Sequence, residues 1–369
     1  MLPRAEGYVK HVLRFMRRSR LPNLDVFVQF GDRAVLSKLH GPLANVSLPP
    51  PILSIAGNPK QFHDIPGVPF YTLLRDREGR AFEKFRKGTF EARWRRRKPT
   101  AFFSGVLSDC GAGMPLDKCA RAKAAILAND AGASMRNIRA CAKTSELAGI
   151  RKRFGKCRSC ISSCIHPAKF THELLINRIA LDFDGSAPWS KRMIALANSG
   201  ALVMRHDTYG MQFFEYGLRE GEHIIPFTVD PGREGCRGNM EKTVAWLNSH
   251  PHIAMKIAKR LESFASVCLR EQSLDDFVGT FLRQIGELQE KAGGPANNYS
   301  GKNNLVELKL QGKGQRGSNT RQCFARFLTG GVGKIDRGSP NVDSDSMRAW
   351  SQETNCRRNV ASCSSFTKP

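Results

Sequence analysis

The sequence predicts an α/β protein with open, parallel sheets, and three observations carry that expectation. Short apolar runs rich in Val, Ile, Leu and Phe recur along the chain, closed by Gly, Asp, Asn or Pro. Helix-forming stretches stand between them in the order strand, loop, helix, which is the grammar of parallel pairing through crossovers. Two long amphipathic helices follow, and then a polar tail. At about 100–200 residues per domain, a chain of 369 residues predicts two domains, or one large two-lobed unit with a tail.

The elements follow in order. Tyr8, Val12 and Phe15 form one stripe with Val9, Leu13 and Met16 beside it, and Pro22 stops the run, so 1–20 reads as a helix. LDVFVQF (24–30) reads as a buried strand ending at Gly31-Asp32, and ILSIAG (52–57) as a second, closed by Gly57-Asn58-Pro59. Asp64 to Tyr71 holds Pro66, Gly67 and Pro69 and reads as a loop. Phe82 to Arg97 predicts one basic helix, ended by Pro99 before the strand AFFSGVL (101–107) and a helix over Asp117 to Asn129. The grammar then repeats. RIALDF (178–183) is a strand, DGSAPWS (184–190) a turn, Lys191 to Asn198 a helix, and ALVM (201–204) a strand. Gln212 to Tyr216 is a helical turn and HIIPF (223–227) another strand. Ile253, Ile257, Leu261, Phe264 and Cys268 form one core-facing stripe, and Phe277, Phe281 and Ile285 a second. From about Gly293, Gly, Asn, Ser and Lys dominate, and disorder is expected. The expected units are therefore 1–20, 21–150, 151–290 and 291–369.

Net charge is +25, from 58 Lys and Arg against 33 Asp and Glu. Arg75–Lys98, Arg136–Arg158 and the segment from Gly301 onward each carry +7, and none interleaves aromatics with cations as single-strand binders do. A solvated basic surface is the simplest account, anionic substrates the next, and specific nucleic-acid reading the last. No run approaches the roughly 18 apolar residues of a membrane-spanning helix. The segment MLPRAEGYVKHVLRFMRRSR lacks the apolar stretch of a signal peptide, so none is expected.

Eleven cysteines include Cys157, Cys160 and Cys164, with His166 beside them. A structural zinc site calls for a second spaced ligand pair, which does not follow, so disulfides or free thiols are expected and a metal is not. Cys356 and Cys363, in the tail, are expected to be unpaired. The sequons at Asn45 and Asn298 are compatible with a secretory lumen.

Two places can carry chemistry. Asp184-Gly185 leaves a strand at its C-terminal end, where open α/β sheets place ligands, and Ser190 is placed to cap the next helix. Lys191 and Arg192 then lie in its first turn, where the helix dipole disfavours cations unless an anion such as a diphosphate sits there. The alternative is that Arg192 points to solvent. Asp32 follows a buried strand and a Gly, where an acid either serves as a base or caps a turn. There is no GxSxG, HExxH or Walker loop.

The series DVFVQFGD, ILSIAG with QFHDIPGVPF, PTAFFSG, FDGSAPWSKRMIALANSGALVM and FFEYGL with HIIPF resembles, in that order, glycosyltransferase family 90. That family holds the fungal capsule-associated proteins and the Rumi-type protein O-glucosyltransferases. The resemblance covers roughly Asn23 to Phe281. It implies a GT-B-like enzyme of two Rossmann-like lobes, with the acceptor and base on 21–150 and the UDP-sugar on 151–290. It further implies metal-independent, inverting transfer of glucose or xylose from a UDP-sugar to a protein or glycan hydroxyl. The family's base falls on Asp32, its diphosphate-binding Arg on Arg192 and the Ser two positions earlier on Ser190. Gly105, Asp184, Gly185, Gln212 and Glu215 are the further candidate donor-binding residues, with Glu215 able to stand in a turn after Gln212. No cofactor beyond the donor and no nucleic-acid partner are implied, and the lumen of the ER or Golgi is the implied compartment. The chain departs from the family's pattern at Ser104, where Arg is usual, at Gln212, where an acid is common, and at Asn177-Arg178-Ile179. The rival expectations are a non-catalytic sugar- or UDP-binding scaffold and a basic nucleic-acid-binding protein.

Overall fold

A computed structural model describes residues 27–28, 52–54, 56–57, 81–107, 115–155, 157–184, 192–206, 211–230 and 238–291. The expected N-terminal helix, the loop over 64–71, both sequons, the tail cysteines and the tail itself lie outside the described residues.

The described strands are β1 (Phe27–Val28), β2 (Ile52–Leu53), β3 (Ala56–Gly57), β4 (Lys98–Val106), β5 (Asn137–Ala142) and β6 (Ile161–Ser163). They continue with β7 (Asn177–Asp182), β8 (Leu202–His206), β9 (Met211–Gln212), β10 (Ile224–Thr228) and β11 (Gly238–Asn239). Seven of them form one parallel sheet in the order β6-β5-β4-β7-β8-β10-β11. The chain runs outward from β4 through β5 to β6, returns to β7 on the other side of β4, and runs outward again. This is the doubly wound order, and its switch point lies between β4 and β7.

The boundary expected at 150/151 falls inside this sheet, between β5 and β6. Because β4 pairs with both β5 and β7, the described strands on the two sides of that boundary belong to one Rossmann-like sheet. Ahead of it, the described residues hold β1 parallel to β2, and β3 antiparallel to β9 with Ala56 opposite Gln212.

Side-chain alternation divides the core between the two faces of the sheet. Phe102, Ala180, Val203 and Ile224 face one cluster, which α5 (Arg192–Ser199), α7 (Pro251–Cys268) and α8 (Glu271–Lys291) cover with Met193, Leu261 and Phe277. Phe103, Leu181, Met204 and Phe227 face the other, covered from α2 (Ala120–Asp130) and α6 (Met240–Ser249) by Ala124 and Val244. With both faces covered, the strands read as continuous apolar runs rather than alternating ones.

Two helical expectations are corrected. Phe82 to Arg97 is not one helix: Gly88 takes a φ of +78°, and Thr89 caps a separate α1 (Phe90–Arg95) by accepting from the Ala92 N–H at 3.3 Å. A hydroxyl cap and a left-handed Gly break a run that periodicity alone would continue. The expected helix over Asp117–Asn129 begins instead at Ala120, after a 3-10 turn at Leu116–Lys118.

The far end of α5 is held by Arg97, whose guanidinium donates to the carbonyls of Leu174 (2.6 Å), Asn177 (2.9 Å) and Ser199 (2.5 Å). It thereby ties α5 to α4 (Pro167–Ile176) and satisfies carbonyls that helix ends leave open. Beside it, Gly200 has a φ of +73°, and a Cβ there would lie 2.8 Å from Glu262 Oε1.

Candidate active site

The carboxyl ends of β4 and β7 diverge at the switch point, and the described site residues converge there. β4 delivers Gly105 and β7 leads into Asp184, while α5 returns over the sheet with Arg192 as its first residue. The guanidinium carbon of Arg192 sits 4.9 Å from the centroid of the Phe103 ring. A cation over an aromatic face is attracted by the ring quadrupole. A Cβ built on Gly105 would come 2.7 Å from Arg192 Nη2 and 2.8 Å from Phe103 Cζ. Glycine at 105 is therefore what lets the guanidinium lie across the end of β4. Arg192 is half-buried, so the alternative of a cation pointing freely to solvent does not hold.

A second cation, Arg121 on α2, is buried and also lies against the Phe103 ring, at 6.0 Å. It donates to the carbonyls of Val106, Phe183 (3.2 Å) and Asp184 (2.5 Å), capping the ends of both strands at the switch point. A third, Arg205 near the end of β8, lies opposite Asp182 in the strand register and donates to Glu215 at 3.1 Å. Burial alone would lower the Arg205 pKa, but Glu215, Asp182 and Asp184 more than reverse that and raise it, so the guanidinium stays charged. His206 follows, its ring stacked on Phe183 at 5.3 Å and edge-on to Phe227 at 5.6 Å. Lys123 pairs with Asp230 just past the end of β10.

Gln212 and Glu215 are brought together, and both are buried. Glu215 accepts from the Gln212 backbone N–H at 2.8 Å and from its side-chain amide at 3.2 Å, a reciprocal cap on the 3-10 turn Phe213–Gly217. The carboxylate absent at 212 is thus supplied one turn later and joined to Arg205. Gly185 and Ser190 lie outside the described residues, as does Asp32. Sequence reasoning missed Arg121, Asp182 and Arg205. The Arg-His pair directly after ALVM is a strand-end charge of the kind that singled out Asp32, and could have been found by the same rule. Arg121 gives no such signal, because its burial depends on where α2 crosses the sheet.

The cysteine cluster holds disulfides: Cys157 with Cys160, and Cys164 with Cys141. His166 caps α4, its Nδ1 accepting from the Ala168 N–H at 3.3 Å. Among the described residues no group of three or more His, Cys, Asp or Glu is arranged to hold a metal ion, and no helix is long and apolar enough to cross a membrane.

The solved structure of HepE from Anabaena in complex with UDP is similar in fold at 11% identity, covering 76% of this chain and 76% of that one with a TM-score of 0.42. Sucrose-phosphate synthase from Thermosynechococcus elongatus is similar at 10% identity, covering 76% of this chain and 62% of that one with a TM-score of 0.37. No curated protein matches the chain. The model of Glycosyl transferase family 90 matches residues 6–304, most of the sequence and all of the site just described. With that match and a doubly wound lobe whose switch point gathers its cations, the chain belongs to glycosyl transferase family 90.

Proposed function

We propose that this family member transfers glucose or xylose from a UDP-sugar to a hydroxyl of a protein or glycan, with inversion and without a metal ion. The observation that carries the reading is the seat of Arg192 across Gly105, at the first turn of α5 and at the switch point of the sheet. A helix N-terminus offers unbonded N–H groups to a diphosphate, and a guanidinium beside it adds paired donors. Together they supply fixed positive charge for UDP as it leaves.

The rest of the site supports that task by holding the cation in place. Arg121 fixes the strand ends under it, and Phe103 carries its flat face. Glu215 and Gln212 are placed to position Arg205 rather than to meet the ligand directly, because the Glu215 side chain has no exposed surface. Asp32 is proposed as the base that takes the acceptor's hydroxyl proton during attack on the anomeric carbon. The pair of bridges Cys141–Cys164 and Cys157–Cys160 supports an oxidising compartment, for which we propose the lumen of the ER or Golgi.

The Ser104 and Gln212 departures favour a second reading, a UDP-binding scaffold without turnover. Against it, the buried carboxylate of Glu215 restores an acid beside Gln212. Calorimetric titration with UDP in physiological salt tests the donor site, and saturable binding is expected. No binding would remove both readings and leave the basic surface as the explanation of the charge. Donor hydrolysis or transfer then separates the enzyme from the scaffold.

A further inference from the structure

The CxxC motif takes no part in the donor site. Cys157 precedes and Cys160 ends the 3-10 turn Arg158–Cys160 that leads into β6, the edge strand of the sheet, with β5 between it and β4. Their Cα atoms are 5.4 Å apart. This bridge is nested inside another, Cys141–Cys164, which ties the end of β5 to the residue after β6.

The two bridges differ in what they can do for the fold. A disulfide restricts the unfolded chain more as the loop it closes lengthens. Cys141–Cys164 spans a sequence separation of 23, and Cys157–Cys160 one of 3. The short loop is also held without its bridge, since Cys157 donates its N–H to Phe154 O and Cys160 donates to Cys157 O, each at 3.0 Å. The small bridge is therefore poorly suited to be a structural staple.

Its two sulfurs also sit in unlike surroundings. Cys160 is 2% exposed and packs in a cluster with Ala122, Ala125, Leu147, Phe154 and Ile161. Cys157 lies at the rim of that cluster, partly open. Lys143, Arg151 and Lys152 are exposed on the same stretch, where the one acid between 141 and 164 is Glu146. Exposed cations on that stretch draw in an anionic attacking thiolate, and Cys157, at the open rim, is the sulfur it can reach.

We propose that Cys157–Cys160 is a thiol–disulfide exchange site that accepts two electrons from an external dithiol, with Cys157 as the attacked sulfur. One thiolate of the dithiol attacks Cys157 Sγ, forming a mixed disulfide as the Cys157–Cys160 bond breaks. Cys160 departs as thiolate and takes up a proton. The dithiol's second sulfur then attacks the mixed disulfide, releasing Cys157 as a thiol and leaving the reductant as its own disulfide. The reverse sequence re-forms the bridge with an external disulfide as oxidant. The bridge lies beside the edge strand, away from the ends of β4 and β7, so the inference does not depend on the transferase reading.

The full chain is equilibrated with mixtures of reduced and oxidised dithiothreitol, quenched in acid, alkylated, and mapped by peptide mass spectrometry. Cys157 and Cys160 should become alkylated at a reduced-to-oxidised ratio at least tenfold lower than Cys141 and Cys164. Joint reduction of the two bridges, earlier loss of Cys141–Cys164, or Cys157 bonded to a cysteine other than Cys160 would overturn the proposal. Replacing the pair together, Cys157→Ser at the open rim with Cys160→Ala in the apolar cluster, should leave the melting temperature within about 2 °C of the parent. Failure to fold, or a larger fall, would show that the bridge is a staple and overturn the proposal equally.

Discussion

At the scale of single residues, Arg192 and Gly105 make one device that can be taken apart from either side. Arg192→Ala removes a charge-assisted contact to donor and leaving group alike, so UDP affinity should fall tenfold or more, about 1.4 kcal/mol, and turnover with it. Lys at 192 should recover part of this, since a point charge cannot copy paired guanidinium donors. Gly105→Ala should give a similar loss of affinity without touching the cation itself, because its methyl would occupy the place of Arg192 Nη2. A calorimetric Kd unchanged in Gly105→Ala would refute that geometry. Asp32→Asn is expected to behave differently, leaving UDP binding nearly intact while transfer drops about a hundredfold or more. Arg192 and Gly105 were legible in the sequence, the first from a cation at the wrong end of a helix and the second through the resemblance. Their contact was not, because it depends on how far α5 swings back over β4.

At the scale of elements, the turn Phe213–Gly217 joins three parts of the chain through one carboxylate. Glu215 caps its own turn, holds Arg205 on β8, and steadies Gln212, which pairs with Ala56 of β3. Removing it strands a buried guanidinium, so Glu215→Ala should lower stability by roughly 3–5 kcal/mol in denaturant unfolding. Glu215→Gln, which keeps the shape and some of the hydrogen bonds, should cost clearly less. The bridge across β5 and β6 offers a second test. Replacing Cys141 and Cys164 together with Ser should destabilise by about 3 kcal/mol, given the length of the loop it closes. The sequence showed β4, β7, β8 and β10 because strands buried on both faces are continuous apolar runs. It hid β5, β6 and the helices α3 (Leu147–Arg153) and α4. There, cations and cysteines interrupt the apolar pattern, and burial is shared among small residues such as Ala140 and Ala142.

At the scale of the whole molecule, the three core clusters draw on residues from Leu53 to Ile285, and α8 ends at Lys291. A chain ending at Gly294 should therefore keep its melting temperature within error, while one ending before α8 should not, since Phe277 and Phe281 seal one face of the sheet. The sequence alone determined the α/β class, the parallel pairing and the ends of β4 and β7, because hydrophobic period and turn residues are local properties. The strand order was beyond it. Only the tertiary structure shows that β4 and β5 share a sheet with β7, since strand order follows from which edges meet and not from their place along the chain. For the same reason only the structure sets Arg121 and Arg192 against the one Phe103 ring and Arg205 opposite Asp182. Sequence spacing carries no record of which strand ends lie side by side.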